Sequence, residues 1–170
     1  MLTLVKHPNE ILDKYVPEFD FDNSPVPAPL LELQMLELMV SENGIGLAAN
    51  QIGLDARVFT MKTQLLEDVI APFAVFNPEV ISVSEEMEAD YEGCLSFPNL
   101  FFKVNRPKAI VVKFLDRHKK ECIIELSGID ARCFLHELDH LNGICFIDRV
   151  SKLKLDLAIK KQRKRNGRTK

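Results

Sequence analysis

Residues 132–143 read RCFLHELDHLNG, and the reading of this stretch governs everything around it. A helix repeats every 3.6 residues, so positions i and i+4 share one face about a turn apart. In helical form His136 and His140 therefore project side by side, with Glu137 next to the first of them. This is the H-E-x-x-H arrangement, in which two imidazoles reach one metal ion and the adjacent carboxylate handles a proton on its water. The remaining positions are largely apolar and can bury such a site. The bland alternative is a polar helix face on which two histidines are paired with acids.

Around this stretch the pattern changes. From residue 57 to about 127 short β runs follow one another, at 57–62, 73–83, 109–116 and 121–126, parted by Pro, Asn, Gly or charged turns. IVVKFLD, then RHKK, then ECIIEL reads as a hairpin. Further upstream, Leu30, Leu31, Met35, Leu36 and Met39 recur at helical spacing behind Pro29, and Asn43 and Gly44 are stop signals. Residues 17–28, with three prolines, read as an extended loop. The HELDH helix is predicted over about 129–141, and a basic helix over about 151–164. Helix, then strands, then helix argues for an α+β fold, with antiparallel or mixed sheets packed around the H-E-x-x-H helix, rather than a parallel α/β fold. A length of 170 residues predicts one domain over 1–170, with 152–170 as a basic C-terminal tail.

Charge is unevenly spread. Residues 152–170 hold nine Lys or Arg against one acid, Asp156, so a tail of net +8 follows a body of net −11. Such a tail can favour a polyanion such as RNA, or can simply be a solvated helix end. MLTLVKHPNE has neither a long apolar run nor a small-residue cleavage site, so a secretory signal is not expected. No run of 18 apolar residues exists, so no membrane span is expected. The four cysteines, Cys94, Cys122, Cys133 and Cys145, are unevenly spaced and do not resemble a disulfide framework. A reducing cytoplasm would keep them as thiols.

A catalytic site of this kind needs three protein ligands and one open position. The pattern H-E-x-x-H-x-x-G-x-x-H matches as far as Gly143 but ends on Phe146, and no Glu follows Glu137. The third ligand therefore lies upstream or is Cys145. Cys94 is the better candidate. It sits in EGCLSFP, where Gly93 permits a tight backbone and Pro98 ends the segment. A thiolate with two imidazoles suits a first-row metal. Cys122, in a strand-like run, reads as a small buried hydrophobe, Cys133 as a pocket-lining residue, and His7 and His118 as surface or structural histidines.

With these residues in place the chain resembles the peptide deformylases. Gly44-Ile45-Gly46-Leu47-Ala48-Ala49-Asn50-Gln51 is similar to that family's G-x-G-L-A-A-x-Q motif, Glu92-Gly93-Cys94-Leu95-Ser96 to its E-G-C-L-S motif, and His136 to His140 to its H-E-x-D-H motif. The resemblance runs from HPNE near the start to the basic helix. It implies an enzyme that removes the formyl group from N-terminal formylmethionine of new polypeptides, with Cys94, His136 and His140 holding the metal. Glu137 would be the general acid/base, and Gln51 and the Leu95 N–H would stabilise the oxyanion. Backbone groups of Ile45 and Gly46 would align the substrate beside Gly93, and Ile45, Ile129 and Cys133 are candidates for the methionine pocket. The implied metal is Fe2+, with Zn2+, Ni2+ or Co2+ able to substitute, and the implied use of the basic helix is docking on the ribosome. A cytoplasmic monomer is expected.

Three features depart from the family's common pattern. Leu135 stands where Gln is frequent, Asn99-Leu100-Phe101 stands where a basic residue is frequent, and Arg132 takes a helix position near the methionine pocket that is often apolar. A Glu92–Arg106 pair could brace the Cys94 segment. Rival readings are a zinc peptidase with another third ligand, a cysteine hydrolase with Cys94 as nucleophile and His136 as base, and an inactive RNA-binding relative.

Overall fold

The computed structural model describes residues 2–63 and 72–166; residues 167–170 of the basic tail lie outside them. In chain order the elements are α1 (Ala28–Ser41), β1 (Gly46–Ala48), β2 (Val58–Met61), β3 (Phe73–Val83), β4 (Met87–Cys94), β5 (Phe97–Pro107), β6 (Ala109–Leu115), β7 (Glu121–Ser127), α2 (Gly128–Leu141) and α3 (Lys152–Asn166). Short 3-10 turns lie at Glu10–Asp13, Ala49–Ile52 and Phe146–Arg149.

Helix α1 starts where expected, since Pro29 lacks an N–H that would have no partner in the first turn. Leu31, Met35 and Met39, four residues apart, bury one face. The helix closes as Asn43 turns left-handed, at φ 58, and the Gly44 N–H donates to the Met39 carbonyl at 2.8 Å. Helix α2 is closed by Gly143, at φ +71, whose bare α-carbon lies against the Asp13–Lys14 backbone where a Cβ would collide.

Strands β1, β2, β3, β6 and β7 form one sheet in the order β1-β2-β3-β6-β7, and β4 and β5 form a separate hairpin. Every pairing among the described residues is antiparallel. The four residues of β2 are all buried. Successive strand side chains point to opposite faces, and Val58 joins the α1 core while Phe59 and Met61 join the α2 core with Phe134 and Leu141. The sheet is thus covered by α1 on one face and α2 on the other. Each fully buried Phe, Leu or Met contributes about 1.5–3 kcal/mol. A third cluster, Leu12, Phe97, Phe102, Val104, Cys145 and Phe146, packs the β4–β5 hairpin against the segment after α2, with Leu155 and Ala158 of α3 alongside.

The α+β architecture around a central H-E-x-x-H helix is as expected, and the predicted helices and hairpin lie within a residue or two of the observed ones. Three strands are additions. β1 has only three residues. β4 exposes its first five residues, so it carries no apolar alternation. β5 runs through Pro98, expected to end the segment, and through a left-handed Asn99, at φ 62. Ala49 begins the 3-10 turn that carries Gln51. Cys122 is half-buried rather than buried.

Candidate active site

Helix α2 presents His136 and His140 on one face with ring centroids 5.1 Å apart. Cys94, the last residue of β4, brings its Sγ to 3.1 Å from His140 Nε2. One ligand atom from each of Cys94, His136 and His140 lies within 4.8 Å of the others. His136 donates from Nδ1 to Glu92 Oε2 at 2.9 Å, which turns its other nitrogen toward this group. A carboxylate behind a ligating imidazole fixes the ring and raises its basicity. One thiol and two imidazoles, backed in this way, suit a first-row divalent cation that keeps an open coordination position.

The buried charges around the ligands form one network. Arg106 donates from Nε and NH2 to the two Glu92 oxygens at 2.6 and 2.8 Å, and from NH1 to Asp139 at 2.7 Å. Arg149 closes on Asp139 from the other side. Arg132 turns inward, donating to Glu92 at 2.8 Å and to the carbonyls of Val104 and Glu88. The Glu92–Arg106 brace expected from sequence is therefore present, and Asp139 extends it to α2. Burial pushes the Glu92 carboxyl up, but the Arg106 and His136 hydrogen bonds outweigh it and hold it down to about 2. Burial pulls His136 down, but the Cys94 and Glu92 contacts outweigh it and push it up to about 10. Burial, with the His136 charge, holds His140 well below its ordinary value.

Glu137 faces the same cavity. It is buried, and its Oε2 has no hydrogen-bond partner in the protein. Burial pushes its carboxyl up to about 7, against the pull of His136 and Arg106. The β1 backbone lies directly on this carboxylate, and a Cβ on Gly46 would run into it. Gln51 is locked in place: its Oε1 accepts from the Ala48 N–H at 2.8 Å, and its Nε2 donates to Ser96 Oγ at 3.1 Å and Cys94 Sγ at 3.3 Å. An N-terminal strap ties Gln51 and Leu95 together. The Val5 N–H donates to the Gln51 carbonyl, Lys6 Nζ to the Leu95 carbonyl at 2.9 Å, and the His7 N–H to the Ser96 carbonyl.

A cleft of about 330 Å³ opens onto these groups. Ile45, Gly46, Gly93, Ile129 and Cys133 all line it, together with Cys94, Gln51, Leu95, His136 and Glu137. Cys133 is buried and its Sγ lies 3.4 Å from the Ile45 carbonyl. His140 is fully buried behind the cleft. Arg132 lines the cleft, as its position implied, but its guanidinium is spent on Glu92 and the β4–β5 backbone. Leu135 is half-buried against the α2 core. His118 is exposed on the β6–β7 turn, and His7 stacks on Phe97 at 4.6 Å. Sequence reasoning assigned nothing to Lys6, Tyr91, Asp139 or Arg149. Only Asp139 carried a signal, as an acid between two histidines on a largely apolar helix.

An α+β fold in which a thiol and two imidazoles converge beside a buried carboxylate in an open cleft defines the class of metal-dependent H-E-x-x-H hydrolases. Comparison with known proteins narrows this. Residues 1–156 match the family described as polypeptide deformylase. The peptide deformylase of Rhizobium meliloti (strain 1021) is 45% identical over 127 residues, 75% of this chain and 73% of that protein. That of Bartonella henselae is 39% identical over 165 residues, 97% and 93% of the two chains. A crystal structure of peptide deformylase from Ehrlichia chaffeensis in complex with actinonin, 36% identical, superposes with a TM-score of 0.84 over 96% of each chain. The chain belongs to the polypeptide deformylase family, metal-dependent enzymes that remove the formyl group from N-terminal formylmethionine.

Proposed function

We propose that this chain acts as one catalytic domain over 1–170, in which Cys94, His136 and His140 hold a single divalent cation and Glu137 moves the proton during deformylation. The observation that carries this reading is the convergence of the three ligand atoms within 4.8 Å, beside the unpartnered Glu137 carboxylate. When bound, such a cation supplies Lewis acidity and can lower the pKa of a water from 15.7 to about 7. Glu137 accepts the proton of the attacking water and delivers it to the departing amine. The Gln51 side-chain N–H and the Leu95 backbone N–H stabilise the charge that grows on the formyl oxygen, each preorganised donor contributing about 2.7–4 kcal/mol. Ile45 and Gly46 on one side and Gly93 on the other align an extended peptide, with the methionine side chain against Ile45, Ile129 and Cys133.

The ion in the cell is read as Fe2+, with Zn2+, Ni2+ or Co2+ able to replace it. The substrate is the formylated nascent chain, met in the cytoplasm by a monomer. No helix among the described residues is long and apolar enough to cross a membrane. The basic tail is read as a ribosome or RNA contact. Removal of residues 160–170, which retains Leu155 and Ala158 in their packing, should leave activity on short peptides within about twofold and weaken ribosome association. Unchanged association in a co-sedimentation assay rejects that part.

The deciding experiment is metal analysis of anaerobically purified protein alongside formate release from formyl-Met-Ala-Ser. About one ion per chain and formate loss on chelation are expected. The rival with Cys94 as nucleophile and His136 as base has a counterpart in the 3.1 Å Cys94–His140 contact, which offers His140 in place of His136 as the imidazole beside the thiol. Activity that survives complete metal removal, with a trapped acyl group on Cys94, favours that second reading.

A further inference from the structure

Two large aromatic side chains stand at the mouth of the cleft. Tyr91 is 62% exposed and Phe101 66% exposed, while their strand neighbours Glu92 and Phe102 are buried. Alternation along paired strands puts Tyr91 and Gly93 of β4 on one outer face with Lys103 and Phe101 of β5. Tyr91 pairs with Lys103, and Gly93 with Phe101. The Phe101 ring lies on the bare α-carbon of Gly93, where any Cβ would meet the ring. The ring is thus seated on backbone, with its other face toward the cleft and solvent. The Tyr91 ring has the Lys103 ammonium 5.4 Å from its centroid. Across the cleft, Ile45 is also exposed. The charged side chains lining the cleft, Glu92, Arg132 and Glu137, are all buried in its floor. Its rim therefore carries large apolar side chains on both walls, beside the exposed Asn43, and is continuous with the reacting groups.

An extended peptide advances about 3.3 Å per residue and turns alternate side chains to opposite sides. With methionine held in the floor, one of the next two residues passes the rim. Aromatic faces reward large apolar or aromatic partners and offer nothing to a carboxylate. Resting on the deformylase reading, we infer that Phe101, with Tyr91 and Ile45, makes this enzyme selective for a large apolar or aromatic side chain in one of the two residues after formylmethionine.

The test is kcat/KM of the metal-loaded full chain on formyl-Met-X-Ser and formyl-Met-Ala-X, with X as Phe, Leu, Gly or Asp. At one of the two positions, Phe and Leu should exceed Asp by about five- to tenfold. The difference should lie in KM with kcat nearly constant, because the contact is made equally in the ground and transition states. Phe101→Ala should collapse the ratio and Phe101→Arg should reverse it toward Asp. Phe101→Leu should keep most of it, which separates apolar contact from loss of the hairpin. Rates within twofold for every X, or a preference that survives Phe101→Ala, overturns the selectivity while deformylation stands. No formate from any peptide overturns both.

Discussion

In the proposed mechanism Glu137 is the residue on which the chemistry turns, and its neighbours show why its position is tightly held. It is buried with a free oxygen, and Gly46 is the only kind of residue that lets β1 lie on it. Glu137→Ala should keep the metal and lose about two to four orders of magnitude in kcat; full activity in a formate assay would reject its proton role. The pH profile carries the same information. Burial pushes Glu137 up to about 7, and a cation held by the adjacent ligands pulls it back down. A general base works only when ionised, so kcat/KM should fall as pH drops, with an acid limb between the ordinary 4.5 and about 7. That limb should vanish in Glu137→Ala. Gly46 does not adopt a left-handed φ, so Gly46→Ala leaves the backbone unstrained. It should nevertheless cost roughly a hundredfold in kcat by displacing the carboxylate about an ångström, and lower the unfolding free energy by about 1–3 kcal/mol, because the added Cβ overpacks a buried side chain.

At the scale of elements, the site is a joint between two pieces that have no reason to meet locally. The hairpin β4–β5 supplies Cys94 and Glu92, and α2 supplies both histidines. Arg106 bonds Glu92 on its own hairpin and Asp139 on the helix, with Arg149 behind it. Losing one member of a buried ion network leaves the others unpaired and costs about 3–5 kcal/mol. Arg106→Met should lower the urea unfolding free energy by about that amount and weaken metal affinity by about 10–100-fold, since Glu92 then no longer holds His136 firmly. A loss under about 1 kcal/mol would show that the joint rests on packing alone. The third core cluster is the competing support, since Phe97, Phe102 and Val104 bury the same hairpin against Phe146.

For the whole molecule, the cation of the proposed mechanism would act at this joint as a staple between α2 and β4. A ligand that binds only the folded state stabilises it by about 4.1 kcal/mol at a thousand times its Kd. In a chain of this size that is roughly 8–16 °C in Tm, so chelation should lower Tm by that order and metal return should restore it. His136, pushed up to about 10 by Cys94 and Glu92, holds a proton that an incoming cation must expel. The staple should therefore weaken as pH falls. Some of this architecture was legible in residue order. The i, i+4 spacing of His136 and His140, the Leu31–Met35–Met39 stripe and the hairpin around residues 117–120 are local patterns, and short-range geometry alone turns them into elements. Cys94 was legible as a third ligand from its EGCLSFP setting and again by resemblance, and its neighbour Glu92 only as a possible brace. What tertiary structure alone decided is the meeting itself. β4 lacks apolar alternation because one face lies in solvent and the other buries Glu92, and in β5 the alternation of Phe102 and Val104 ends on the buried Arg106; a buried charge looks like a surface charge until its partner is placed. Arg132 turned inward, Lys6 reaching Leu95 and Phe101 settling on Gly93 depend on contacts between distant parts of the chain, which no periodicity along it encodes.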